Sequence, residues 1–404
     1  MVTLQEALQK IYALKPTDSH EVVSLENALG RVCAKEYSAV FDMPRFDNSA
    51  MDGYAVKVAD AQKAVTVSGS IYAGCEQNQS VQDGSCLKIM TGAKLPKGCE
   101  AVVPIENVVH QEDDIVLPKD LQKGANMRYS GEDIKANSVI VQSGKKITPY
   151  DIGALASQGQ SYIDVYKNVR ISVLSSGHEL KPHYEQVSGS QLYNSNAPTL
   201  EVYGKLLGCD VVSSLVVDDS FEGLKKALQN CLDSDIIVTT GGASVGDKDY
   251  TKEAIFSLKA QVVFENIAIK PGKPTSLYKV ANSYILVLPG NPLAAMVNFE
   301  LVGKALIASL QNRKDRYFAP VSAVMAQPYQ KRGTKDTIVL GNFDGKMFTP
   351  LKLQLPGMVA PLQLADAFIV LKDSSLTLDK GQSVAVLPLC SSSGSVVEKE
   401  IFTK

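Results

Sequence analysis

Polar and glycine-rich segments recur directly after apolar runs in the middle of the chain, and their residue types suit phosphate and metal chemistry. Five such segments follow predicted strands: SSGHEL after Leu174, DD after Val217, GGASVGDKD after Thr240, KPGKP after Ile269 and LPGNP after Val287. Ligands of open α/β sheets bind outside the carboxyl ends of the strands. We therefore expect these segments to converge on one ligand site.

Carboxylates in these segments supply hard oxygen ligands that suit Mg²⁺, which usually takes one or two protein carboxylates with water and substrate phosphate. The candidates are Glu179, Asp218, Asp219, Asp247 and Asp249. Not all five can bind a metal, because Asp219 and Ser220 both precede a predicted helix, where capping is the ordinary role. The pattern favours Mg²⁺-assisted chemistry on a phosphate or pyrophosphate.

Cations and free backbone N–H groups in the same segments are typical of anion binding. Lys270 and Lys273 flank a Pro-Gly turn that could hold two ammonium groups over a dianion. Asn291 is expected to cap a helix that starts at Pro292 and offers N–H groups to phosphate, although a stiff helix start explains that segment alone. The glycines from Gly241 onward either let N–H groups approach an anion or form a tight turn.

Three candidate segments lie nearer the N-terminus. FDNSAMDGYAV places Asp47 and Asp52 in a turn before a strand, for which structural Asx turns are the more common explanation. IMTGA presents Thr91 after an apolar strand, and GEDI presents Glu132 and Asp133. None of the three is diagnostic alone.

Composition and motifs exclude several other functions. The four histidines have no metal-site spacing, and the seven cysteines are scattered and never spaced C-x-x-C, which disfavours zinc sites and a disulfide framework. The absence of a G-x-G-x-x-G motif counts against a nicotinamide enzyme. The net charge of -2 gives no basic field for nucleic acid or an anionic membrane. Without a signal peptide or an apolar run expected to span a bilayer, we predict a cytoplasmic protein.

The elements that must position these residues alternate between strand and helix from residue 169 to about residue 311. Strands are predicted at 169–174, 211–217, 236–240, 262–269 and 285–288, and helices at 196–207, 221–230, 250–258 and 293–310. Apolar strands alternating with helices predict an α/β layer sandwich around a mainly parallel sheet.

The remaining segments predict further domains. Thr3 and Glu6 have the spacing of a capping box at the start of an amphipathic helix. Short β-rich runs from residue 47 to 133 indicate a lobe inserted into a body formed by 1–46 and 134–168. After the α/β domain at 169–312, short β runs at 317–404 predict a small C-terminal β barrel or sandwich.

Seven segments in order, FDNSAMDGYAV, IMTGA, GEDI, SSGHEL, GGASVGDKDYT, AIKPGKP and LPGNP, resemble the motif set of the molybdopterin molybdenumtransferases. This is the MoeA family, which includes the gephyrin E domain. The resemblance implies an elongated helical body, an inserted β-rich lobe, a molybdopterin-binding α/β domain and a C-terminal β barrel. It also implies a Mg²⁺-dependent homodimer that inserts molybdenum from molybdate, the co-substrate, into adenylylated molybdopterin as AMP leaves.

The resemblance also implies roles for single residues. Catalysis is expected from Asp52, Asp133, Asp218 and Asp249, and Mg²⁺ binding from Glu179, Asp218 and Asp249. Substrate contacts are expected from Thr91, Glu179, Gly241, Gly242, Ser244, Lys270, Lys273, Pro289, Asn291 and Pro292. The chain departs from the usual family pattern at His178, at Asn266 and in the segment around Pro356, which affects the anion contacts more than the fold.

Two rival functions are considered. A molybdopterin adenylyltransferase has a related α/β domain with a similar glycine loop, but the additional domains argue against it. A non-catalytic scaffold that binds the cofactor precursor would not need the largely intact set of carboxylates and lysines. Contacts with the adenylyltransferase and with recipient molybdoenzymes are further expectations, whereas the choice between molybdate and tungstate is open.

Overall fold

The structure of the chain is a computed structural model that describes residues 1–75, 78–241, 250–331, 333, 335–372, 377–390, 398 and 401–403. The chain forms two compact units. The larger unit contains Met1–Lys35, Ser143–Ile152 and Tyr162–Lys404, and the smaller unit contains Glu36–Gln142 and Gly153–Ser161.

A six-stranded sheet forms the centre of the larger unit. Its strands lie in the order Asp210–Val217, Arg170–Ser176, Ile236–Thr240, Ser283–Leu288, Ser276–Val280 and Gln261–Phe264. The first four are parallel to one another, and the last two pairings are antiparallel. The predicted mainly parallel sheet is confirmed, and the parallel strands end at one edge.

Helices cover both faces of this central sheet. Successive strand residues alternate between two buried clusters, as Val173 and Leu174 do. One cluster is completed by the helices Leu4–Tyr12, Asn196–Leu206, Pro292–Asn298 and Lys304–Leu310. The other is completed by the helices Phe221–Asn230 and Tyr250–Ser257. Strands buried on both sides read as continuous apolar runs, which is why the sequence predicted them well.

The helix starts agree with the capping signals in the sequence. The Thr3 hydroxyl accepts a hydrogen bond from the Glu6 N–H, and the Glu6 carboxylate accepts one from the Thr3 N–H, which completes the predicted capping box. Thr148 caps the helix Pro149–Ser157 in the same way, with Asp151 as its reciprocal partner.

The prediction of one strand at 262–269 was wrong. The sheet strand Gln261–Phe264 ends before Asn266, which takes a left-handed conformation with a φ of 56°. Ile269–Lys270 is a separate two-residue strand that pairs in parallel with Asp336–Phe343, which lies outside the central sheet. The strand Ser276–Val280 was not predicted, because its apolar run is short and follows two prolines.

The expectation that no apolar run is long enough to span a bilayer was also wrong. The helical run Pro292–Leu310 has 19 residues and, by length and composition, is long and apolar enough to cross a membrane. However, 94% of the tested window is buried inside the protein, as in the core helix of a globular domain. Its middle turn, Phe299–Gly303, is a π-helix, which the apolar periodicity did not indicate.

The C-terminal part contains a closed five-stranded barrel, as predicted. The strand Asp336–Phe343 pairs with Met347–Pro350 on one side and with Ala367–Leu371 on the other. Val321–Met325 and Ser383–Pro388 complete the ring between them. Phe348 lies fully buried inside. Short elements nearby are the helix Ala360–Leu364, the strand Phe402–Thr403 on Ala367–Leu371, and the strand pair Tyr329–Gln330 with Thr377–Leu378.

The smaller unit contains the predicted β-rich lobe. Its six-stranded sheet has the order Ala101–Pro104, Gly53–Val56, Ser85–Ile89, Ala64–Ile71, Asp114–Val116 and Val109–Gln111. Short pairs join Tyr37–Ser38 with Val139–Val141 and Asn48–Ser49 with Met127–Arg128, and 3₁₀ turns occur at Val58–Asp60 and Ile105–Asn107.

In the larger unit, His20–Ser24 pairs with Tyr162–Tyr166, and the 3₁₀ turn Leu25–Ala28 follows the first of these strands. The fold class predicted from the sequence is confirmed.

Candidate functional site

A cavity of about 590 Å³ lies at the carboxyl edge of the central sheet. Three neighbouring parallel strands end there. The cavity is lined by Ser176, the last residue of its strand, and by Gly241 and Pro289, the first residues beyond theirs. Glu179, Asn291 and Pro292 line it from the predicted segments as well, and Pro274 contributes from the KPGKP segment. The described residues of four of the five predicted segments therefore reach one cavity.

Glycine is required where these strand ends meet. Gly241 has a φ of 88°, and a Cβ there would lie 2.1 Å from the Ser176 carbonyl oxygen. A Cβ on Gly290 would lie 3.3 Å from the Gly241 Cα atom. The three backbones approach so closely that any side chain at Gly241 would push the loops apart.

The SSGHEL and DD segments are joined by side-chain contacts. The His178 Nδ1 atom lies 2.9 Å from an Asp218 carboxylate oxygen, although the sequence had indicated no orienting partner for this histidine. The Ser176 hydroxyl donates to Asp219 at 2.8 Å. Ser220 then caps the next helix through the Gly223 N–H, as its position predicted. Asp219 therefore holds a neighbouring strand end, and Asp218 is the carboxylate of this pair that faces His178.

Glu179 and Asp218 are the described carboxylates that suit Mg²⁺. Both side chains are exposed, and Glu179 lines the cavity. Among the described residues no group of three or more histidines, cysteines or acids could hold a metal. Two carboxylates still fit Mg²⁺, because this ion usually keeps water and substrate phosphate as its other ligands. The predicted third ligand, Asp249, lies outside the described residues, as do Gly242 and Ser244.

The KPGKP turn presents two exposed ammonium groups. Lys270 precedes a cis peptide bond to Pro271, and Gly272 has a φ of 118°. Backbone hydrogen bonds fix the turn: the Gly272 carbonyl accepts from Thr275, and the Lys273 carbonyl accepts from Ile267. Within the described part of the chain neither lysine side chain has a salt bridge to a carboxylate. Two cations without an acidic partner are suited to an anionic ligand.

The LPGNP segment starts a helix as predicted. Asn291 has the extended backbone of a cap residue, and Pro292 occupies the first helical position. The Asn291 side chain makes no capping hydrogen bond. Instead, Asn196 from another helix donates to the Gly290 carbonyl at 2.8 Å, which fixes the segment from the outside.

Several residues that line the cavity were missed in the sequence. Tyr193 and Asn194 come from the short strand pair Leu180–Lys181 with Leu192–Tyr193, and Gly357 comes from the C-terminal part. The only signal for the first group was the N-S-N run before the helix at Asn196. Nothing in the sequence indicated that Gly357 lies at the site.

Asp52, Thr91 and Asp133 belong to the smaller unit. The Thr91 N–H and hydroxyl donate to the same Asp52 carboxylate oxygen at 2.7 and 2.8 Å. These two hydrogen bonds hold the pKa of the Asp52 carboxyl below its ordinary value. Asp133 has an exposed side chain, and its N–H donates to the Met43 carbonyl. Asp52 and Thr91 thus form one hydrogen-bonded pair across 39 positions of sequence, a contact that their motifs did not predict.

Comparisons with known proteins match 96% of the chain. Residues 2–159 match the MoeA N-terminal region (domain I and II), and residues 172–309 match the probable molybdopterin binding domain. A molybdopterin molybdenumtransferase of Haemophilus influenzae is 33% identical over 96% of this chain and 98% of its own length. One from Staphylococcus aureus strain COL is 29% identical over 96% of this chain and 95% of its own length.

Solved structures agree with these relatives. A crystal structure of the molybdopterin biosynthesis MoeA protein of Pyrococcus horikoshii is similar with a TM-score of 0.82 and 27% identity. The similarity covers 96% of this chain and 99% of that one. A crystal structure of a molybdopterin biosynthesis MoeA protein from Pyrococcus horikoshii OT3 has a TM-score of 0.84 at 23% identity and covers 96% of this chain, which adds support for the fold alone.

We predict that Thr91→Val raises the pKa of the Asp52 carboxyl toward its ordinary value, because the variant loses the hydroxyl donor and keeps the N–H donor. Carboxyl ¹³C NMR titration, with the Asp52 signal assigned by Asp52→Asn, measures this pKa. The control is Thr66→Val, which removes the 2.7 Å hydrogen bond to Asp114 in the same lobe and leaves the Asp52 pKa unchanged. An unchanged Asp52 pKa in Thr91→Val would show that the hydroxyl contributes nothing.

Proposed function

The chain belongs to the molybdopterin molybdenumtransferase family, and on that premise we propose that it inserts molybdenum from molybdate into adenylylated molybdopterin with release of AMP. The observation that carries the proposal is the cavity where three parallel strands end. Its volume of about 590 Å³ lies within the usual range of small-molecule sites. The rival functions account less well for relatives of this name that match 96% of the chain.

The cavity offers different surfaces to the phosphate end and to the pterin end of such a substrate. Backbone around Gly241 and Gly290 can approach a phosphate group closely, since no side chain intervenes. Leu180, Leu192 and Tyr193 provide apolar surface on the other wall for a flat pterin ring. The substrate is thus oriented by a polar backbone on one side and by an apolar wall on the other.

Lys270 and Lys273 act on the oxyanion in this proposal. Their ammonium groups are exposed and have no carboxylate partner in the described ranges, so a dianion can bind without breaking an existing ion pair. Two point charges on a turn fixed by backbone hydrogen bonds suit a dianion better than an apolar pterin. We therefore assign molybdate, or a phosphate group of the substrate, to this turn.

Magnesium is a cofactor in the proposal. Glu179 and Asp218 would hold it, together with Asp249, and the bound ion would screen the negative charge of the phosphate linkage as AMP leaves. His178 keeps the Asp218 carboxylate in place through its Nδ1 contact of 2.9 Å.

The thiolates that receive molybdenum belong to the substrate. Among the described cavity-lining residues there is no cysteine, and four of the seven cysteines are buried elsewhere in the fold. Burial raises the pKa of Cys33, Cys86 and Cys209 well above the ordinary thiol value, which keeps these thiols protonated and unreactive. The protein therefore provides the site, and the substrate provides the metal ligands.

The proposal also includes the setting in which the protein works. We propose a cytoplasmic homodimer that receives its substrate from a molybdopterin adenylyltransferase and passes the product to recipient molybdoenzymes. The overall balance of 41 basic and 43 acidic residues offers no support for a nucleic-acid partner.

The central test is to supply the purified protein with Mg²⁺ and adenylylated molybdopterin and to follow AMP with and without molybdate. Molybdate-dependent AMP release is expected. Adenylylation of molybdopterin from ATP would establish the adenylyltransferase instead, and binding without turnover would establish a scaffold.

We predict that Lys270→Ala and Lys273→Ala each raise the molybdate concentration needed for half-maximal AMP release by about tenfold, since each removes a charge-assisted contact. Binding of adenylylated molybdopterin should change little. Lys279→Ala is a matched control, because this lysine lies on the sheet strand Ser276–Val280 and not on the turn that carries Lys270 and Lys273. Normal molybdate dependence with a loss of pterin binding would assign the lysines to the pterin.

We further propose that two subunits share each active site, with Asp52 and Asp133 of one subunit completing the Asp218 and Lys270 site of the other. The proposal is supported by the division of the predicted site residues between two compact units. An isologous dimer then contains two equivalent composite sites.

Mixed dimers test the shared site. Asp52→Ala and Asp249→Ala proteins should each lose about 10² to 10³-fold in turnover, as expected for a lost electrostatic group. After dissociation and reassociation, a heterodimer carries both changes in one site and neither in the other, so part of the activity should return. Verified heterodimers that stay inactive, although both variants are folded, would place the whole site within one chain.

A further inference from the structure

Asn298 is a buried polar residue that the proposed mechanism does not use. It is the last residue of the helix Pro292–Asn298, directly before the π-helical turn, and its side chain is fully buried. Its amide Nδ2 donates to the Ala294 carbonyl at 2.7 Å and to the Pro271 carbonyl at 3.0 Å. One side chain therefore connects the LPGNP helix with the turn that carries Lys270 and Lys273.

The orientation of the Asn298 amide follows from its two partners. Both are carbonyl oxygens, which only accept hydrogen bonds, so the NH₂ group must face them. The Oδ1 atom is left buried without a hydrogen-bond partner. An unpaired buried acceptor lowers stability, so an apolar residue here would avoid that cost. A buried side chain that keeps such an unpaired polar atom usually has a positioning or functional role.

The amide also packs directly on Gly272. A Cβ at Gly272 would lie 1.8 Å from the Asn298 Nδ2 atom. The neighbouring carbonyls of the turn, those of Gly272 and Lys273, are bound by Thr275 and Ile267, which do not belong to the LPGNP helix. Among the described hydrogen bonds, the one from Asn298 is what fixes the distance between the lysine turn and this helix.

We propose that Asn298 is a positioning residue that sets the two lysine ammonium groups relative to the cavity at Asn291. The inference rests on the proposed function, because it assumes that the lysines bind the oxyanion. Asn298 lies under the backbone of the turn and does not contact the ligand. Its loss lets the turn move away from the helix, so that the lysines no longer converge on one dianion.

Asn298→Leu tests the proposal, because leucine keeps the branched shape of the side chain and removes both N–H donors. The expected result is about a tenfold rise in the molybdate concentration for half-maximal AMP release, as small misplacements of binding groups give. The rate at saturating molybdate should stay within about twofold of the unchanged protein, because a positioning loss in the oxyanion contact is overcome by concentration. Direct calorimetric titration with sodium molybdate should show the same weakening without turnover.

Gln311→Met is the matched control. Gln311 is also a buried carboxamide, follows the end of the same helical run, and donates to the Leu207 carbonyl at 3.0 Å. Its substitution removes a buried hydrogen bond away from the lysine turn and should leave the molybdate dependence unchanged. If Asn298→Leu behaves like this control, Asn298 is structural only and the inference is wrong.

A double variant separates positioning from a general loss of structure. Lys273→Ala combined with Asn298→Leu should weaken molybdate binding little more than Lys273→Ala alone, because residues that act through one another are not additive. Fully multiplicative effects would overturn the proposal. If Asn298→Leu does not fold, Asn298→Ala is measured by the same criteria. Absence of molybdate binding and turnover in the unchanged protein would instead reject the proposed function.

Discussion

The close approach of three backbones at the edge of the central sheet is the constraint on which the site depends. Three adjacent parallel strands end here, one at Ser176 and the others just before Gly241 and Gly290. The space between the three backbones has no room for a Cβ at Gly241. Parallel strands bring their carboxyl ends to one edge, but they do not make the loops touch. Glycine at these positions allows the loops to touch, and the cavity lies where the loops move apart again.

The parts of the fold that could be predicted are those whose signals are local. Buried parallel strands read as apolar runs, and capping residues such as Thr3 and Ser220 mark helix starts at the positions where the structure has them. The strand predicted at 262–269 failed because apolar periodicity cannot show that Asn266 adopts a left-handed conformation and breaks the run. The π-helical turn Phe299–Gly303 was equally invisible, since it keeps the apolar pattern of an α-helix.

The place of the cavity, at the carboxyl ends of the parallel strands, was predicted for the same reason. Charged residues after strands, such as Glu179 and Lys270, can be identified by type and place, whereas their supports cannot. Asn298 acts across 27 positions of sequence, and Gly357 reaches the cavity from beyond the central sheet altogether. The Glu179 and Lys270 side chains are exposed and hydrated, so their charges lower the stability of the protein little when no ligand is present. The supports are buried, and only the three-dimensional structure reveals them.

The strand pairing between Ile269–Lys270 and Asp336–Phe343 has a consequence for how the molecule can be divided. The chain passes from the α/β domain to the C-terminal part through the polar segment 312–316, which looks like a natural place to cut. A protein ended there would keep every strand of the central sheet, yet the segment carrying Lys270 would lose the backbone partner that holds it extended. The barrel therefore supports the turn that carries Lys270, and a fragment that keeps this support must extend beyond the boundary that the sequence suggests.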